Sequence, residues 1–453
     1  MNMNNHWLWS DGCFIGVLLI SALCILWSIR KPHHRLAFKR LFEKPVAVSA
    51  AVFLTFFMLI AIFDSIPDPS KDPRLNTMQH KTLLDRSLAP LGVVDETTYS
   101  SPLALTSYVS KTIWVNGDAE QVYSRLRYPS EKFKNQADVR TFCMHVIQKA
   151  LLDSFLWVFA FSVFVWCVRC VLTQEKSRSL VPNIPFFSAL VSLFVCFSMM
   201  FIFYHISREL HVFGTGKIGQ DIFYHAIKSV RTGLVIGLLT TVVMMPLALS
   251  FGVMSGYFGG WIDDVIQYIY TTLSSIPGVL LITASVLSIQ TYLTNHPQFI
   301  SNLADDADAR LLTLCFILGM TSWTTLCRLI RAEVLKLREI DFVLASQALG
   351  TSHFKIMTKH LLPNVMHIVL VTMVLDFSFL VLAEALLAYI GVGVSPMTIS
   401  WGNMINTARL ELSREPVVWW PILAAFSFMF MLVLSSNVFA DAVRDAFDPR
   451  QEG

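Results

Sequence analysis

Two carboxylates stand where a carboxylate is costly. Asp376 and Glu384 both lie in the apolar stretch 365–390. An ionisable side chain at membrane depth marks a pathway or a polar partner. Glu384 reads as a structural, hydrogen-bonding acid. Asp376, nearer the middle of the stretch, is evenly balanced between lining a translocation pathway and pairing with a partner chain. Two further chemistries are suggested by spacing and fail on their neighbours. Cys167-Val168-Arg169-Cys170 has CxxC spacing, but it closes an apolar run with no second pair nearby, so membrane packing is the favoured reading. Gly216-Lys217 matches the end of a phosphate-binding loop, yet position 211 is His rather than Gly, and Ile218 follows where Ser or Thr is required. No Ser/His/Asp set and no metal-ligand cluster rises above background. No catalytic residue and no metal site is therefore assigned.

The elements that would hold these residues are membrane spans. The chain has 453 residues, 54% hydrophobic and 15% charged, with a mean hydropathy of +0.56. This excludes a globular enzyme and predicts an all-α, polytopic membrane protein surrounded by lipid. The net charge of +3 is too small to suggest nucleic acid. About nine segments are long enough to cross the hydrocarbon: 12–29, 45–65, 151–172, 186–206, 229–254, 265–290, 311–330, 365–390 and 418–440. The first lacks a basic leader and is followed by Arg30-Lys31 rather than a small-residue cleavage site, so it reads as a retained span. Lys and Arg concentrate in 30–44, 173–184 and 328–363, whereas 1–11 carries none. The positive-inside bias then predicts an N-terminus outside and a C-terminus in the cytoplasm. Residues 66–150 form a polar, proline-bearing extracytoplasmic insert of uncertain fold. Pro246 and Pro277 interrupt spans and would kink them.

The stretch 328–363 is the densest in motifs. It lies between the apolar segments Leu311–Leu329 and Val365–Leu387 and carries Arg328, Arg331, Lys336, Arg338, Lys355 and Lys359. Ile330–Leu349 reads as a helix ended by Gly350 in the left-handed region. Thr351 or Ser352 would cap a second helix, Phe354–Leu361, and Pro363 would stop it or re-enter the next span. Phe354, Ile356 and Met357 are expected on the surface, where they would suit a partner's groove. An amphipathic loop lying on lipid fits the periodicity equally well.

The residues are more specific than the periodicity. Asp341-Phe342-Val343-Leu344-Ala345-Ser346-Gln347-Ala348-Leu349-Gly350, then His360-Leu361-Leu362-Pro363-Asn364, resembles the EAA loop of ABC-importer permeases. More narrowly, it resembles the second permease subunit of the oligopeptide/dipeptide/nickel importers. Four further segments match that family in order: Phe213–Asp221, Ser255–Asp263, Gly391–Pro396 with Ser400–Met404, and Asp441–Arg450. Ser275-Ile276-Pro277-Gly278 and the acid Glu384 also fit, and Lys39–Phe63 is similar to the family's first span. The sequence departs from the pattern at Leu344, where the EAA glutamate would stand, and at Ser346. In the outer motif Gly216 and Gln220 replace the usual Asp and Arg, which puts a shared salt bridge there in doubt.

The resemblance implies a chain built of an extra span and basic loop (1–44), a span (45–65), the insert (66–150), two extra spans (151–206) and a permease core (207–453). It makes 341–364 an ATPase-coupling loop, with Ala345, Ala348, Leu349, Gly350, Phe354, Ile356, Met357, Leu362 and Pro363 at the contact. The implied partners are a homologous second permease in a heterodimer, two ABC ATPase subunits that hold ATP and Mg, and an extracytoplasmic substrate-binding protein. No cofactor is expected on this chain. The implied setting is a bacterial inner membrane, and the implied substrate is a peptide. Nickel chelates, microcin-like peptides and glycosides stay open. A gradient-driven secondary transporter or channel would leave the loop unexplained, and a membrane scaffold or sensor whose outer insert binds a ligand is a third reading.

Overall fold

The computed structural model describes residues 7–29, 32–68, 81–93, 96–115, 118–129, 132–173, 185–295 and 303–447. Arg30, Lys31, Lys176, Arg178 and Asp448–Arg450 lie outside them, as does the side chain of Cys170; Cys167 is free and exposed. Among the described residues, eight helices are long and apolar enough to cross a membrane, and a bent pair makes a ninth candidate. They are α1 (Trp9–Ile29), α3 (Pro45–Ser65), α6 (Gln136–Thr173), α7 (Phe186–Ser207), α8 (Ile222–Phe258), α11 (Leu303–Leu337), α14 (Leu362–Ile390) with the short turn before it, and α15 (Trp420–Phe447). A short helix α2 (Pro32–Glu43) joins the first two. The protein is an all-α, polytopic membrane protein.

The segment 265–290 is not one straight span. It is α9 (Gly260–Ser275) followed by α10 (Gly278–Asn295), with an 88° bend between them. The cause is Pro277, which disfavours helical backbone at the residue before it; Ile276 is extended, at φ −87° and ψ 131°. Pro246, by contrast, does not interrupt its helix: α8 continues through it.

The chain forms two compact units. One contains Lys39–Thr232 and Ile399–Ser435. Here α7 packs on α3 and α6, and Ser188 of α7 bonds Ser49 at 2.8 Å and the Pro45 carbonyl at 2.7 Å. The insert is folded. Its helices α4 (Leu83–Ser87) and α5 (Ala89–Val93) start from a capping box in which Thr82 and Asp85 bond each other's backbone N–H. Strands β1 (Lys111–Val115) and β2 (Asp118–Val122) pair antiparallel, with Lys111 opposite Val122. Leu84, Leu88, Leu91, Leu105 and Phe133 share an apolar cluster with Leu210, Val212 and Phe223. Helix α6 starts at Gln136, inside the stretch read as insert, because the apolar positions Val139 and Val146 continue the same buried face.

The other unit contains Leu8–Phe38, Gly233–Thr398 and Ser436–Gly453. Glycines bring its helices together. A Cβ on Gly252 or Gly256 of α8 would stand 2.8 Å or 2.7 Å from the Cβ of Ile330 or Val334 on α11, and one on Gly237 would meet the Phe377 ring of α14 at 2.5 Å. Small residues four apart permit such close backbone approach between membrane helices. Helix α1 packs on α11, where Asp308 accepts the Ser10 backbone N–H at 3.1 Å.

Candidate functional site

The coupling-loop candidate projects from this second unit. Helix α11 ends at Leu337, three residues turn, and α12 (Asp341–Ala348) follows. The expected continuous helix Ile330–Leu349 is thus two, since Ile340 is extended at φ −81° and ψ 142°. Gly350 has φ +73°, and it ends α12 as the sequence predicts. The Gly350 N–H bonds the Gln347 carbonyl at 2.9 Å and the Thr351 N–H bonds that of Ser346 at 3.1 Å, which is the Schellman arrangement that satisfies the last carbonyls. Ser352 then precedes α13 (His353–Ile356), a π turn covers Met357–Leu361, and α14 begins with Pro363 in its first turn.

Two sets of side chains face opposite ways. Val343, Ile356 and Leu361 are wholly buried in a cluster with Met244, Ala248, Tyr257 and Val334. Removing each from water is worth about 1.5–3 kcal/mol. The Tyr257 hydroxyl lies 2.8 Å from His353 Nδ1, and Ser346 Oγ donates to Thr351 Oγ1 at 3.2 Å, which pins both short helices. On the outside, Leu349 is 85% and Phe354 73% exposed, and Phe342 and Leu344 are also exposed. Ala345, Ala348, Gly350 and Pro363 are exposed as well, and Leu362 is half-buried. Ile356, expected at the surface, is instead fully buried, and Met357 is half-buried against the same cluster. The helix there is one turn long and runs into a π turn, so an α-helical period assigns its faces wrongly. Leu344 and Phe342 were missed as surface residues. The signal available was that Leu344 brings an apolar side chain to a position where the motif has a charge.

The helix that launches the loop is held by charge. Arg331 Nη2 and Nε each reach the Asp263 carboxylate at 2.6 Å, and Ser255 donates to the same group. Arg328 lies 4.8 Å above the Tyr270 ring. Both arginines belong to α11 rather than to the loop. Of the two span acids, Glu384 is 2% exposed on the face of α14 that also buries Leu380, Val381 and Leu387, whereas Asp376 is half-buried between exposed Leu375 and buried Phe377. The structure does not bring them together with the loop residues.

In the first unit the 211–221 turn is equally well defined. Its Gly216 N–H bonds the Gln220 carbonyl at 2.9 Å, and its concave side is filled by the Glu96 backbone, 1.7 Å from where a Gly219 Cβ would stand. Lys217 points to solvent and lies 3.7 Å from Glu411.

Many apolar helices, one 88° bent pair among them, define a multi-pass membrane protein with an anchored loop that exposes an apolar crest. Residues 248–453 match the family described as binding-protein-dependent transport system inner membrane component. The chain is 32% identical over 243 residues to the dipeptide transport system permease protein DppC of Lactococcus lactis, covering 54% of this chain and 65% of that one. It is 30% identical to the oligopeptide transport system permease protein OppC of Bacillus subtilis, covering 53% and 72%, and 28% identical to the OppC of Mycobacterium bovis, covering 53% and 76%. The chain belongs to the binding-protein-dependent transport system inner membrane component family. Helices α1 to α7 and the insert precede the matched residues.

Proposed function

We propose that this chain is the transmembrane permease subunit of an ATP-driven peptide importer in a bacterial inner membrane. The observation that carries this reading is the loop of α12 and α13: a rigid pair of short helices, anchored through Val343, Ile356 and Leu361, that exposes Leu349 and Phe354. Such a crest suits insertion into a partner's groove, and an ATPase subunit is the partner that a permease of this family requires. The names of the similar permeases support a peptide as the substrate. The chain would pair with a second, homologous permease, bind two ATPase subunits that carry ATP and Mg, and receive substrate from an extracytoplasmic binding protein.

In this mechanism ATP-driven closure of the ATPase subunits moves the loop. Because α12 and α13 are packed into the spans, that movement is transmitted to α8, α11 and α14, which reorient to open the pathway outward and then inward. The ATPase states can shift this equilibrium only by as much as they differ in affinity for the loop. Asp376 would attract the cationic amino terminus of a peptide. Asp376→Asn should then lower uptake several-fold while pull-downs in detergent still recover the full complex. Full uptake of several peptides together with full assembly would reject both a pathway role and a pairing role.

With the bent pair α9/α10 counted as one crossing and the Lys/Arg-rich loops taken as cytoplasmic, the N-terminus and the insert fall outside and the C-terminus in the cytoplasm. Cysteines introduced at Gln121, exposed on β2, and at Leu349 test this with a membrane-impermeant reagent. Gln121→Cys should react in intact cells, and Leu349→Cys only once the inner face is opened. Reaction of both from one side would make the bent pair a re-entrant loop and overturn the topology.

A further inference from the structure

The insert meets the 211–221 turn through a buried charge cluster. His211 is 0% exposed. Its Nδ1 lies 2.6 Å from Asp221 and its Nε2 3.8 Å from Glu96 Oε1. Glu96 comes from the insert, and its side chain is 2% exposed. The same Oε1 accepts the Arg127 and Tyr128 backbone N–H groups at 2.6 Å and 2.8 Å. The Glu96 backbone N–H in turn bonds the Gly219 carbonyl at 3.0 Å. Burial of charges is tolerated only where they are paired and hydrogen-bonded. Here one cation is shared between two carboxylates, one on the turn and one on the insert.

We infer that Glu96 is a positioning residue: through His211 it holds the 211–221 turn against the insert. The cluster gives this contact a pH limit. Burial alone would pull His211 down, but the hydrogen bond to Asp221 and the carboxylate charges of Asp221 and Glu96 outweigh it and hold the imidazolium to about pH 9. Burial likewise opposes the charged form of Glu96, and the nearby His211 charge with the backbone hydrogen bonds from Tyr128 and Arg127 leave it below the usual carboxylate range. A raised histidine contributes stability that is complete below its ordinary value and is lost as pH climbs through the raised one. The other groups facing the imidazole are the Tyr128 ring at 4.8 Å and, around Tyr128, the charges of Glu209 and Arg208. Once His211 is neutral, Asp221 and Glu96 remain as adjacent carboxylates without a shared cation, and the turn loosens.

Val212, 7% exposed beside His211, is a place for a reporter. In the full-length chain purified in detergent, Val212→Cys is alkylated with iodoacetamide from pH 6 to pH 10. Rates are compared with those of a Glu96→Gln partner variant at each pH, so the thiol's own titration cancels. Glu96→Gln should raise the rate about tenfold at pH 7, the scale of one lost charged hydrogen bond, and the two rates should converge above about pH 9. A rate ratio of one at pH 7, or a ratio that stays constant to pH 10, would overturn the inference. The consequence for uptake rests on the transporter reading. Under that reading Glu96→Gln lowers peptide uptake in cells. A turn that loosens while uptake is unchanged would show that the turn's position does not matter to transport. Absence of uptake in the unmodified chain would count against the transporter reading and leave the thiol result to decide the clamp.

Discussion

Leu349→Asp and Phe354→Asp should each release the ATPase subunits and stop uptake, while the chain is still made, inserted and folded. Both side chains stand off the protein, 85% and 73% exposed, so an aspartate at either position costs the isolated chain little. A central apolar anchor at an interface is worth about 2 kcal/mol or more, roughly thirtyfold in affinity. The measurement is co-purification of the ATPase subunits with the variant chain, set beside its yield. Gly350→Pro should have the same outcome by another route. Proline fixes φ near −65°, whereas Gly350 sits at +73° and donates its N–H to Gln347. Losing both costs about 3 kcal/mol or more, which unfolds the end of α12. Gly350→Ala separates shape from space: nothing lies within 4 Å of its Cβ, so only the left-handed strain of about 1–2 kcal/mol remains, and coupling should weaken rather than vanish. Normal co-purification with both aspartates would remove this loop from the interface.

Gly256→Leu should lower the yield of folded protein more than any substitution on the loop's crest. Its Cβ would stand 2.7 Å from the Val334 Cβ and 2.9 Å from the Arg331 carbonyl, so neither helix can give way by turning a side chain. Overpacking costs about 1–3 kcal/mol and occasionally more. It would also move Arg331, whose guanidinium is held at 2.6 Å by Asp263, and weaken that part-buried ion pair. Size-exclusion profiles in mild detergent measure this. Gly256→Ala, with one methyl, should fall between the two. A monodisperse Gly256→Leu chain at normal yield would mean that α8 and α11 are not packed as closely as the structure places them.

The bend at Gly350 was legible in the sequence because only one residue type takes that backbone cheaply, and its position after a run of good helix formers says where the run ends. The spans were legible because lipid demands long apolar helices. The break at Ile276 was legible as a kink at Pro277, but its size was not: a hydropathy window averages across a two-residue interruption and cannot report an 88° bend. Ile356 was placed on the wrong face because a single helical turn followed by a π turn has no usable period. Gly252 and Gly256 carried a readable small-residue spacing that passed as ordinary span composition. The Glu96–His211 contact had no local signal at all: its partners are far apart in the chain, and only folding of the insert brings them together.

The central claim is that this chain moves peptides by coupling to ATP hydrolysis through the α12–α13 loop. The most direct test is initial-rate uptake of a labelled oligopeptide by cells carrying the complete system, with ATP and the proton gradient removed separately. Depleting ATP with arsenate should abolish uptake, and a protonophore added with ATP maintained should leave it largely intact; Leu349→Asp should match arsenate. Uptake that survives arsenate and Leu349→Asp but collapses with the protonophore would contradict the account and make the chain a gradient-driven transporter.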